Sequence, residues 1–394
     1  DVDCAANLVR LPVMTRRELI DNEKSLKATA LPSSDRQCRL HKSSGTTGQP
    51  TRVLHSQSST LMYTLLTQRR LRWGRFDPMQ PFVEIRAPNL LPARDDGSLC
   101  PTDEVLRLPR WRYVGRVFES GPYFVFTVNN SKSRRLDLLC DPGPRYLMSY
   151  PGVLEEIAFA CVDRPPCPNL RAVISVASQL TESMKQRIEQ TFGVPIHQGY
   201  GLNEIGFVAI RCEAGRYHVN VEHCIVEIVD DEGQPCPPGE IGRVVVTGLQ
   251  NLAMPLFRYD TDDAAAWATD ACPCGRTLPA FVQLSGRLRR YAVLPQGTRE
   301  KFNVVFEALE HAPAQHVRHL QRYQVHQHRD GRFELRLQMP VNAMGELSQW
   351  VRDAWRKAIE EDDARLDIVR VDEIALGPGG KRLDFTSDYF ESNG

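Results

Sequence analysis

Residues 170–201 have the sequence LRAVISVASQLTESMKQRIEQTFGVPIHQGYG. The first seven form an apolar run typical of a buried strand, and Thr181 then begins a helical pattern that ends at Gly193. A second short strand follows at 194–196. This strand–helix–strand alternation predicts a parallel α/β sheet, in which ligands bind beyond the carboxyl ends of the strands. The residues expected at those ends are Ala177, Ser178, Tyr200 and Gly201.

Patterns further along the chain predict two domains. Strand patterns flank a Pro/Gly turn at 231–235, which gives the N-terminal part a β-rich subdomain. After Gly286 the residues have the pattern of a small α+β domain of about 100 residues. We therefore predict an α/β protein with a large N-terminal domain, 1–285, and a small C-terminal domain, 286–394. The elements expected in the small domain are a helix at 303–310, strands at 323–328 and 332–338, a helix at 345–361 and a strand at 368–374.

Helices are also predicted before the parallel sheet. Thr15 precedes a helical pattern and has Glu18 three residues on, which is the arrangement of a capping box. Apolar residues recur at helical spacing within 56–73, and Pro151 lies near the first turn of a helix that extends to residue 161. Residues 80–140 mix proline, glycine and charge with short apolar runs, and the sequence does not assign them.

A run of glycines and hydroxyl residues occupies positions 42–51, KSSGTTGQPT. Glycines let a backbone approach a ligand closely, and exposed N–H and hydroxyl groups can then surround phosphate oxygens. The spacing is not the Walker pattern, because no Gly-Lys-Ser/Thr follows. A flexible Ser/Gly linker is the alternative, although the run lies between two structured segments rather than between domains. The residues predicted to bind phosphate are Ser43, Ser44, Gly45, Thr46, Thr47 and Gly48.

Two further stretches carry groups suited to a nucleotide. Tyr200 beside Gly201 offers an aromatic face on which a base can stack, and the Glu204 carboxylate can reach a metal ion. Residues 258–263 contain three aspartates, a residue type that accepts hydrogen bonds from a sugar diol or binds a divalent cation. A surface Tyr-Gly turn and a solvated acidic turn are the alternatives for these two stretches.

Two basic stretches lie in or beside the predicted small domain. Residues 285–290 contain three arginines, which suit an interdomain hinge and can contact nucleotide oxygens in bidentate fashion. Lys381 follows a Gly/Pro-rich loop at 377–380, which can bring a positive charge to a reacting phosphoryl or acyl centre. A basic linker and a flexible tail are the respective alternatives.

Taken in order and spacing, these stretches resemble the adenylate-forming superfamily of acyl-CoA synthetases, and most closely its phenylacetate-CoA ligase-like branch. The resemblance covers nearly the whole chain, beginning at residues 11–19. The other matching segments are 43–51 (phosphate loop), 200–204 (adenine stacking and magnesium), 254–263 (ribose aspartate), 285–287 (hinge) and 380–381 (C-terminal catalytic lysine).

The resemblance implies an ATP- and Mg²⁺-dependent ligase. Such an enzyme activates a carboxylic acid, in this branch an aromatic or arylacetic one, as acyl-AMP with release of pyrophosphate. The small domain then rotates, and the acyl group passes to a thiol such as coenzyme A. The implied catalytic residues are Lys381, Glu204 and Asn203, with Mg²⁺ at Glu204. The implied ATP-binding residues are Ser43, Ser44, Gly45, Thr46, Thr47, Gly48, Ala177, Ser178, Tyr200, Gly201, Asp263 and Arg287.

The sequence departs from the family pattern at four places. Asn203 replaces the usual hydroxyl residue, and Asp262 replaces the usual glycine before the ribose aspartate. Arg289 and Arg290 replace acidic hinge residues, and the usual Gly-Ala/Gly-Glu adenine stretch has the sequence VASQ at 176–179.

A cysteine cluster suggests a structural metal. Cys272 and Cys274 form a tight pair, and Cys212 and His218 lie about sixty residues earlier. Three thiolates and one imidazole suit a closed tetrahedral Zn²⁺ site. His223 and Cys224 are competing ligands, and four unrelated side chains are the alternative.

The composition excludes several classes of protein. Forty-nine basic residues balance 49 acidic ones among 394, which argues against a nucleic-acid-binding or membrane-surface protein. No apolar run approaches the ~18 residues that span a bilayer, and the first residues do not form a signal peptide. Eleven irregularly spaced cysteines indicate reduced thiols and a cytoplasmic protein. The chain lacks an initiating Met, so we expect it to begin inside a longer one.

Two alternative functions stay open at this point. A carrier-protein thiol or an amine can replace coenzyme A as acyl acceptor. A non-catalytic nucleotide-binding scaffold is a different class, favoured by Asn203 and Asp262. The sequence leaves the acid and the oligomeric state undetermined.

Overall fold

The computed structural model describes most of the chain. Its contacts define two compact units, one formed by 1–151, 166–179 and 192–288, the other by 152–165, 180–191 and 289–394. The second unit thus contains two earlier segments besides the C-terminal part, and the predicted division at 285/286 stays a prediction. The residues described are 5–42, 51–91, 104–115, 117–140, 143–161, 167–178, 180–285, 304–310, 312–317, 319–358, 365–374 and 385–388.

The described residues of the first unit form fourteen strands, and twelve of them make one sheet. A parallel half and an antiparallel half meet in this sheet, and its strand order is given below. The strands are Arg39–Lys42 (β1), Arg52–His55 (β2), Phe82–Arg86 (β3), Leu106–Leu108 (β4), Tyr123–Thr127 (β5), Tyr146–Ser149 (β6), Ala172–Ser175 (β7), Ile196–Leu202 (β8), Gly206–Arg211 (β9), Tyr217–Val219 (β10), Cys224–Val229 (β11), Ile241–Gly248 (β12), Tyr259–Trp267 (β13) and Ala280–Ser285 (β14).

The large sheet has the order β11-β12-β13-β14-β10-β9-β8-β7-β6-β3-β5-β4. Strands β8, β7, β6, β3 and β5 are mutually parallel, whereas the pairs from β8 through β9 to β11 are antiparallel. Strand β8 therefore belongs to both halves. Parallel strands β3, β6 and β7 are buried at every position, as expected of strands covered on both faces.

Two of the hydrophobic clusters in the first unit pack its strands together. One packs aromatic and aliphatic side chains of the parallel strands, among them Phe82, Tyr123 and Tyr146. The other packs the antiparallel strands around Phe281 and extends to Leu19 of the first helix. The helices of the chain are Arg16–Asp21 (α1), Gln57–Trp73 (α2), Lys132–Cys140 (α3), Pro151–Ala160 (α4), Glu182–Phe192 (α5), Val304–Glu310 (α6), Ala314–Val317 (α7) and Met344–Ala358 (α8), with 3-10 turns at Ala5–Arg10, Ser33–Asp35, Pro88–Leu90 and Val341–Ala343.

The second unit has its own four-stranded sheet. Its strands are Arg322–Gln327 (β15), Phe333–Gln338 (β16), Leu366–Arg370 (β17) and Phe385–Ser387 (β18), in the order β17-β16-β15-β18. Apolar side chains alternate along β15 and β16 and pack against α8 through Leu347 and Trp355. None of the helices in the described ranges combines the length and the apolar character needed to cross a bilayer.

Most predicted elements lie where the sequence put them. Thr15 and Glu18 form the predicted capping box, with Thr15 Oγ1 accepting from the Glu18 N–H at 3.2 Å. The strand predicted at 368–374 begins and ends earlier in the structure, at 366–370. Strand β8 is longer than predicted, because Gly199 and Gly201 extend the strand rather than end it. The unassigned region 80–140 supplies β3, β4, β5 and α3.

Candidate functional site

The structure brings Tyr200 and Asp263 into direct contact. The Tyr200 hydroxyl donates to Asp263 Oδ2 at 2.6 Å, although β8 and β13 are separated by three strands in the sheet order. In a flat sheet, β8 and β13 would lie four strand spacings, or about 19 Å, apart. The contact between their side chains therefore indicates that the antiparallel half of the sheet curls strongly. Burial, and then the neighbouring Asp263 carboxylate, hold the pKa of Tyr200 well above its usual value, so the phenol stays protonated and donates.

Glu204 lies at the meeting point of three segments. Its Oε1 accepts from Arg16 Nη1 at 3.2 Å and from Thr51 Oγ1 at 2.7 Å. Thr51 is the last residue of the glycine-rich run, so the run ends beside the predicted magnesium ligand. None of the described residues donates to Glu204 Oε2, and this oxygen is the one suited to a cation. Sequence reasoning missed Arg16, because its partner is 188 residues away.

His55 fixes the turn that carries Asn203. Its Nε2 lies 2.8 Å from the Asn203 carbonyl oxygen and its Nδ1 lies 3.0 Å from Ser59 Oγ. Burial lowers the pKa of His55. The ring is therefore neutral, with Nε2–H donating to the carbonyl and Nδ1 accepting from the hydroxyl. This contact was not predicted, because His55 lies in β2, far from the turn in sequence.

Of the residues predicted at the carboxyl ends of β7 and β8, Tyr200 is buried and the others are accessible. Ala177, Gly201 and Asn203 are exposed and Ser178 is half-buried. Ala177 has a φ of 65° and Asp262 a φ of 62°, a left-handed conformation that favours glycine. The resemblance implies a glycine at position 262, and Asp262 has the left-handed conformation that a glycine favours.

The N-terminal segment is tied to the ribose-aspartate motif. Asp260 N–H donates to the Met14 carbonyl at 2.8 Å, and Met14 N–H donates to the Arg258 carbonyl at 2.9 Å. The buried Arg258 guanidinium donates to the carbonyls of Val9 and Leu11 at 3.2 and 2.7 Å. The sequence did not indicate this role, because backbone carbonyls about 250 residues away leave no pattern in the motif itself.

Several predicted site residues lie outside the described part of the chain. They remain predictions, and only the flanks of the phosphate-loop segment are described. Those flanks, β1 and β2, pair antiparallel with Lys42 opposite Arg52. The predicted residues outside the description are Ser43, Ser44, Gly45, Thr46, Thr47, Gly48, Arg287 and Lys381.

The predicted cysteine and histidine ligands do form a cluster. The potential ligand atoms of Cys212, His218, Cys272 and Cys274 all lie within 4.8 Å of one another. Cys212 Sγ is 3.6 Å from Cys272 Sγ, and Cys274 Sγ is 3.3 Å from His218 Nε2. Sulfurs bound to one tetrahedral zinc ion are about 3.8 Å apart. The set therefore has the chemistry and size of a metal site.

The surroundings of this cluster also suit a metal. His218 Nδ1 lies 3.0 Å from the Leu278 carbonyl, which directs Nε2 toward the thiols. The competing residues are occupied elsewhere: His223 Nε2 lies 3.0 Å from the Ile205 carbonyl, and Cys224 Sγ contacts the Val208 carbonyl. The predicted set of four is thus the one that the described structure assembles.

Comparison with known proteins gives a family match. The sequence model described as "AMP-binding enzyme" matches residues 8–254. Phenylacetate-coenzyme A ligase from Thermus thermophilus is 27% identical over 289 residues, 71% of this chain and 61% of that protein. The Escherichia coli protein of the same name is 26% identical, covering 77% of this chain and 68% of its own length. The chain spans about three fifths of the first of these relatives.

Solved structures share the fold. The crystal structure of 2-hydroxyisobutyryl-CoA ligase in complex with 2-HIB-AMP is similar over 100% of this chain and 84% of that one, with a TM-score of 0.72 and 16% identity. A benzoate CoA ligase from Burkholderia xenovorans is similar over 90% of this chain and 69% of that one, with a TM-score of 0.59 and 13% identity. The predicted fold class, a large α/β part with a smaller α+β part, is confirmed.

Proposed function

Because the chain belongs to the AMP-binding enzyme family, we propose that it is an ATP-dependent carboxylate ligase. It activates an acid as acyl-AMP and then transfers the acyl group to coenzyme A. The observation that supports this most strongly is the Tyr200–Asp263 contact beside Glu204, because a base, a ribose and a phosphate-bound cation each find a suitable group there. The similarity to phenylacetate-coenzyme A ligases favours an aromatic or arylacetic acid.

The chemistry divides into two balanced steps. In the first, a carboxylate oxygen attacks the α-phosphorus of ATP, the bond to the bridging oxygen breaks, and pyrophosphate leaves. Lys381 stabilises the charge that develops on the phosphoryl oxygens. In the second, a thiolate attacks the acyl carbon and AMP leaves. Asn203, one residue before Glu204, is proposed to contact the acyl-phosphate oxygens.

Nucleotide recognition is assigned to residues around the carboxyl ends of β7 and β8. Tyr200 stacks on adenine with Gly201, Ala177 and Ser178 beside it, and Asp263 accepts from the ribose hydroxyls. Glu204 would hold Mg²⁺, which would supply charge neutralisation for the phosphates. Arg287 is assigned to the ribose or phosphate oxygens. The phosphates themselves are assigned to Ser43, Ser44, Gly45, Thr46, Thr47 and Gly48.

The two catalytic steps are proposed to use two domains, 1–285 and 286–394. The C-terminal domain turns about the hinge near Arg287 between the steps, which removes Lys381 and admits the thiol. The balanced charge of the chain and its irregular cysteines support a cytoplasmic enzyme without nucleic-acid or membrane partners.

A structural Zn²⁺ is proposed at Cys212, His218, Cys272 and Cys274. The four ligand atoms lie within 4.8 Å, and the Leu278 carbonyl orients the imidazole, which supports a closed tetrahedral site. A bound zinc ion supplies a crosslink between β9, β10 and the loop before β14. No catalytic role is assigned to it.

Carboxylate-dependent ATP–pyrophosphate exchange tests the function. A panel of aryl, arylacetic, fatty and amino acids is supplied one at a time, and exchange above the acid-free rate is expected with an aromatic or arylacetic acid. Coenzyme A, a carrier protein and an amine are then added separately to identify the acceptor. Nucleotide binding without exchange for any acid would instead support the non-catalytic scaffold.

A further inference from the structure

Two arginines and two tyrosines share one buried carboxylate in the first unit. Glu84 on β3 is fully buried, and Arg86 Nε donates to its Oε1 at 2.5 Å. The hydroxyls of Tyr113 and Tyr123 donate to the same carboxylate at 3.0 and 2.6 Å, and Arg112 Nη1 lies 3.8 Å from Oε2. The acceptor positions of Glu84 are therefore taken.

Arg70 is a third arginine in this region and has no such partner. It lies on α2, is 8% exposed, and places Cζ 5.1 Å from the centroid of the Phe207 ring. Its buried Nε lacks an acceptor, and no described residue forms a hydrogen bond or ion pair with its guanidinium. An aromatic face compensates only part of the hydration that a buried cation loses. Among the described residues, the positive charge of Arg70 therefore has no anionic partner.

The position of Arg70 connects it to the proposed nucleotide site. Phe207 pairs with Gly201 in β8, and its ring packs so closely on Gly199 that a Cβ there would lie 2.3 Å away. These two glycines flank Tyr200. Arg70 is thus separated from the strand that carries Tyr200 by one aromatic ring. Arg86 is the last residue of β3. It therefore lies at the carboxyl edge of the parallel strands, where β8 also ends.

Aromatic rings lie close to one another around Arg70. The Tyr63 ring lies 6.3 Å from the rings of both Phe207 and Tyr113, and Tyr63 is 38% exposed. A flat ligand can pack against these rings while its polar end meets a guanidinium. The combination of apolar walls with a few placed polar groups is typical of small-molecule sites.

We propose that the acid activated by this protein is an aromatic dicarboxylic acid, whose second carboxylate pairs with Arg70. This inference rests on the proposed function: one carboxylate reacts with ATP while the other neutralises the buried charge. A planar guanidinium binds a carboxylate through two parallel hydrogen bonds, which a monoacid cannot form at its distal end.

Matched acid pairs test the proposal. Phenylacetate is compared with 4-carboxyphenylacetate, and benzoate with terephthalate, by exchange kinetics and by calorimetric binding without ATP. We expect the wild type to prefer one diacid over its monoacid by at least about tenfold in kcat/KM, and Arg70→Met to lose that preference. Arg72→Met, an exposed residue on the same helix, is the control and should keep it.

Stability separates a ligand-binding role from a structural one. Because Arg70 lacks a described anionic partner, Arg70→Met should leave the melting temperature of the ligand-free protein unchanged or raise it. A diacid should raise the melting temperature of the wild type but not of the variant. A lower melting temperature of ligand-free Arg70→Met would reveal an internal partner and overturn the proposal.

The outcomes also separate this inference from the function on which it rests. Exchange with monoacids at rates equal to or above those with diacids would overturn the inference and leave the ligase function intact. No exchange with any acid would count against the ligase function. In that case calorimetry decides. Diacid binding to the wild type that is lost in Arg70→Met supports the Arg70 site. The absence of diacid binding to the wild type rejects it.

Discussion

The hydroxyl of Tyr200 holds the carboxylate of Asp263 in one orientation. Both residues are buried, and the two atoms are 2.6 Å apart. A hydrogen bond to a charged group in such a place contributes about 1.5–3 kcal/mol. The stacking on adenine that is proposed for Tyr200 and the orientation of Asp263 are therefore linked in one side chain, and we expect Tyr200 to be a sensitive position for nucleotide affinity.

Tyr200→Phe should raise the KM for ATP about tenfold while kcat changes less than about threefold. The ring stays available for stacking, but Asp263 loses its donor and its fixed orientation. The matched control is Tyr217→Phe, because the Tyr217 hydroxyl makes a similar buried bond to Gln198 Oε1 at 2.8 Å in the same hydrophobic cluster. Equal increases in KM for the two variants would show that Tyr200 acts only through stability.

Lys381→Ala should lower the rate of adenylate formation by a factor of about 10²–10³, because a charge that stabilises the transition state is lost. ATP affinity, measured by equilibrium binding, should stay within about threefold. Lys357→Ala, at an exposed position of α8, serves as the control. Unimpaired adenylation in Lys381→Ala would contradict the assignment of this lysine.

At the scale of elements, the β1–β2 hairpin presents the predicted phosphate loop and also supports the turn at Asn203. His55 at the end of β2 makes this second connection through its neutral ring. Protonation would place a hydrogen on Nδ1, where the Ser59 hydroxyl now donates. The hairpin is therefore the element in which acid should first weaken the site.

The free energy of unfolding should fall as the pH decreases below about 6.5, the usual pKa of histidine. Burial lowers the pKa of His55, so the unfolded chain binds a proton at a higher pH than the folded one, and the lost stability is recovered as the pH rises again. Urea unfolding measures the free energy of unfolding at pH 7.5 and at pH 5.5. The difference between these two free energies should be smaller for His55→Gln than for the wild type. His319→Gln, at an exposed position, should leave the difference unchanged.

Periodicity predicted elements in which apolar residues recur at regular spacing. Helix α2 and strands β15 and β16 are examples, and the capping box at Thr15 was predicted from its two polar residues. Strand β3 was missed because it buries Glu84 and Arg86 as a pair, which in sequence looks like a surface segment. Strand β8 was shortened because its glycines suggest a turn.

At the scale of the whole first unit, the large sheet has one narrow connection. Strands β11 to β13 join the rest of the sheet through β14, and β14 pairs with β10 at only two residue positions, Tyr217 with Phe281 and His218 with Ala280. The cysteine cluster lies at this connection, because His218 belongs to β10 and two of the cysteines precede β14. A metal there would reinforce the pairing with the fewest paired positions in the sheet.

Protein purified without chelator should contain about one equivalent of zinc, and Cys274→Ser should lose it together with several degrees of melting temperature. A bound ion would crosslink segments about sixty residues apart at the narrow connection, so its loss should reduce stability without changing the KM for ATP more than about threefold. Cys140→Ser, an exposed cysteine, is the control. A zinc content below about half an equivalent would reject the metal.

Sequence motifs predicted a set of candidate site residues, but not how the described members of that set meet. The Tyr200–Asp263 and Arg16–Glu204 contacts depend on the curl of the sheet and on the docking of the N-terminal segment, neither of which has a local pattern. The Arg70 region lies beyond any motif, because it is built from α2, β3 and β9 together.

The narrow connection also sets an order of events during protein synthesis. Strand β10 is complete at residue 219, but its neighbour β14 ends at residue 285. At about 5–20 residues per second, a ribosome needs roughly 3–13 s to make the intervening chain. During that interval β10 presents an open edge to other nascent chains. Fragments that stop before residue 280 should therefore aggregate, whereas translation slowed after residue 285 should be harmless to this sheet.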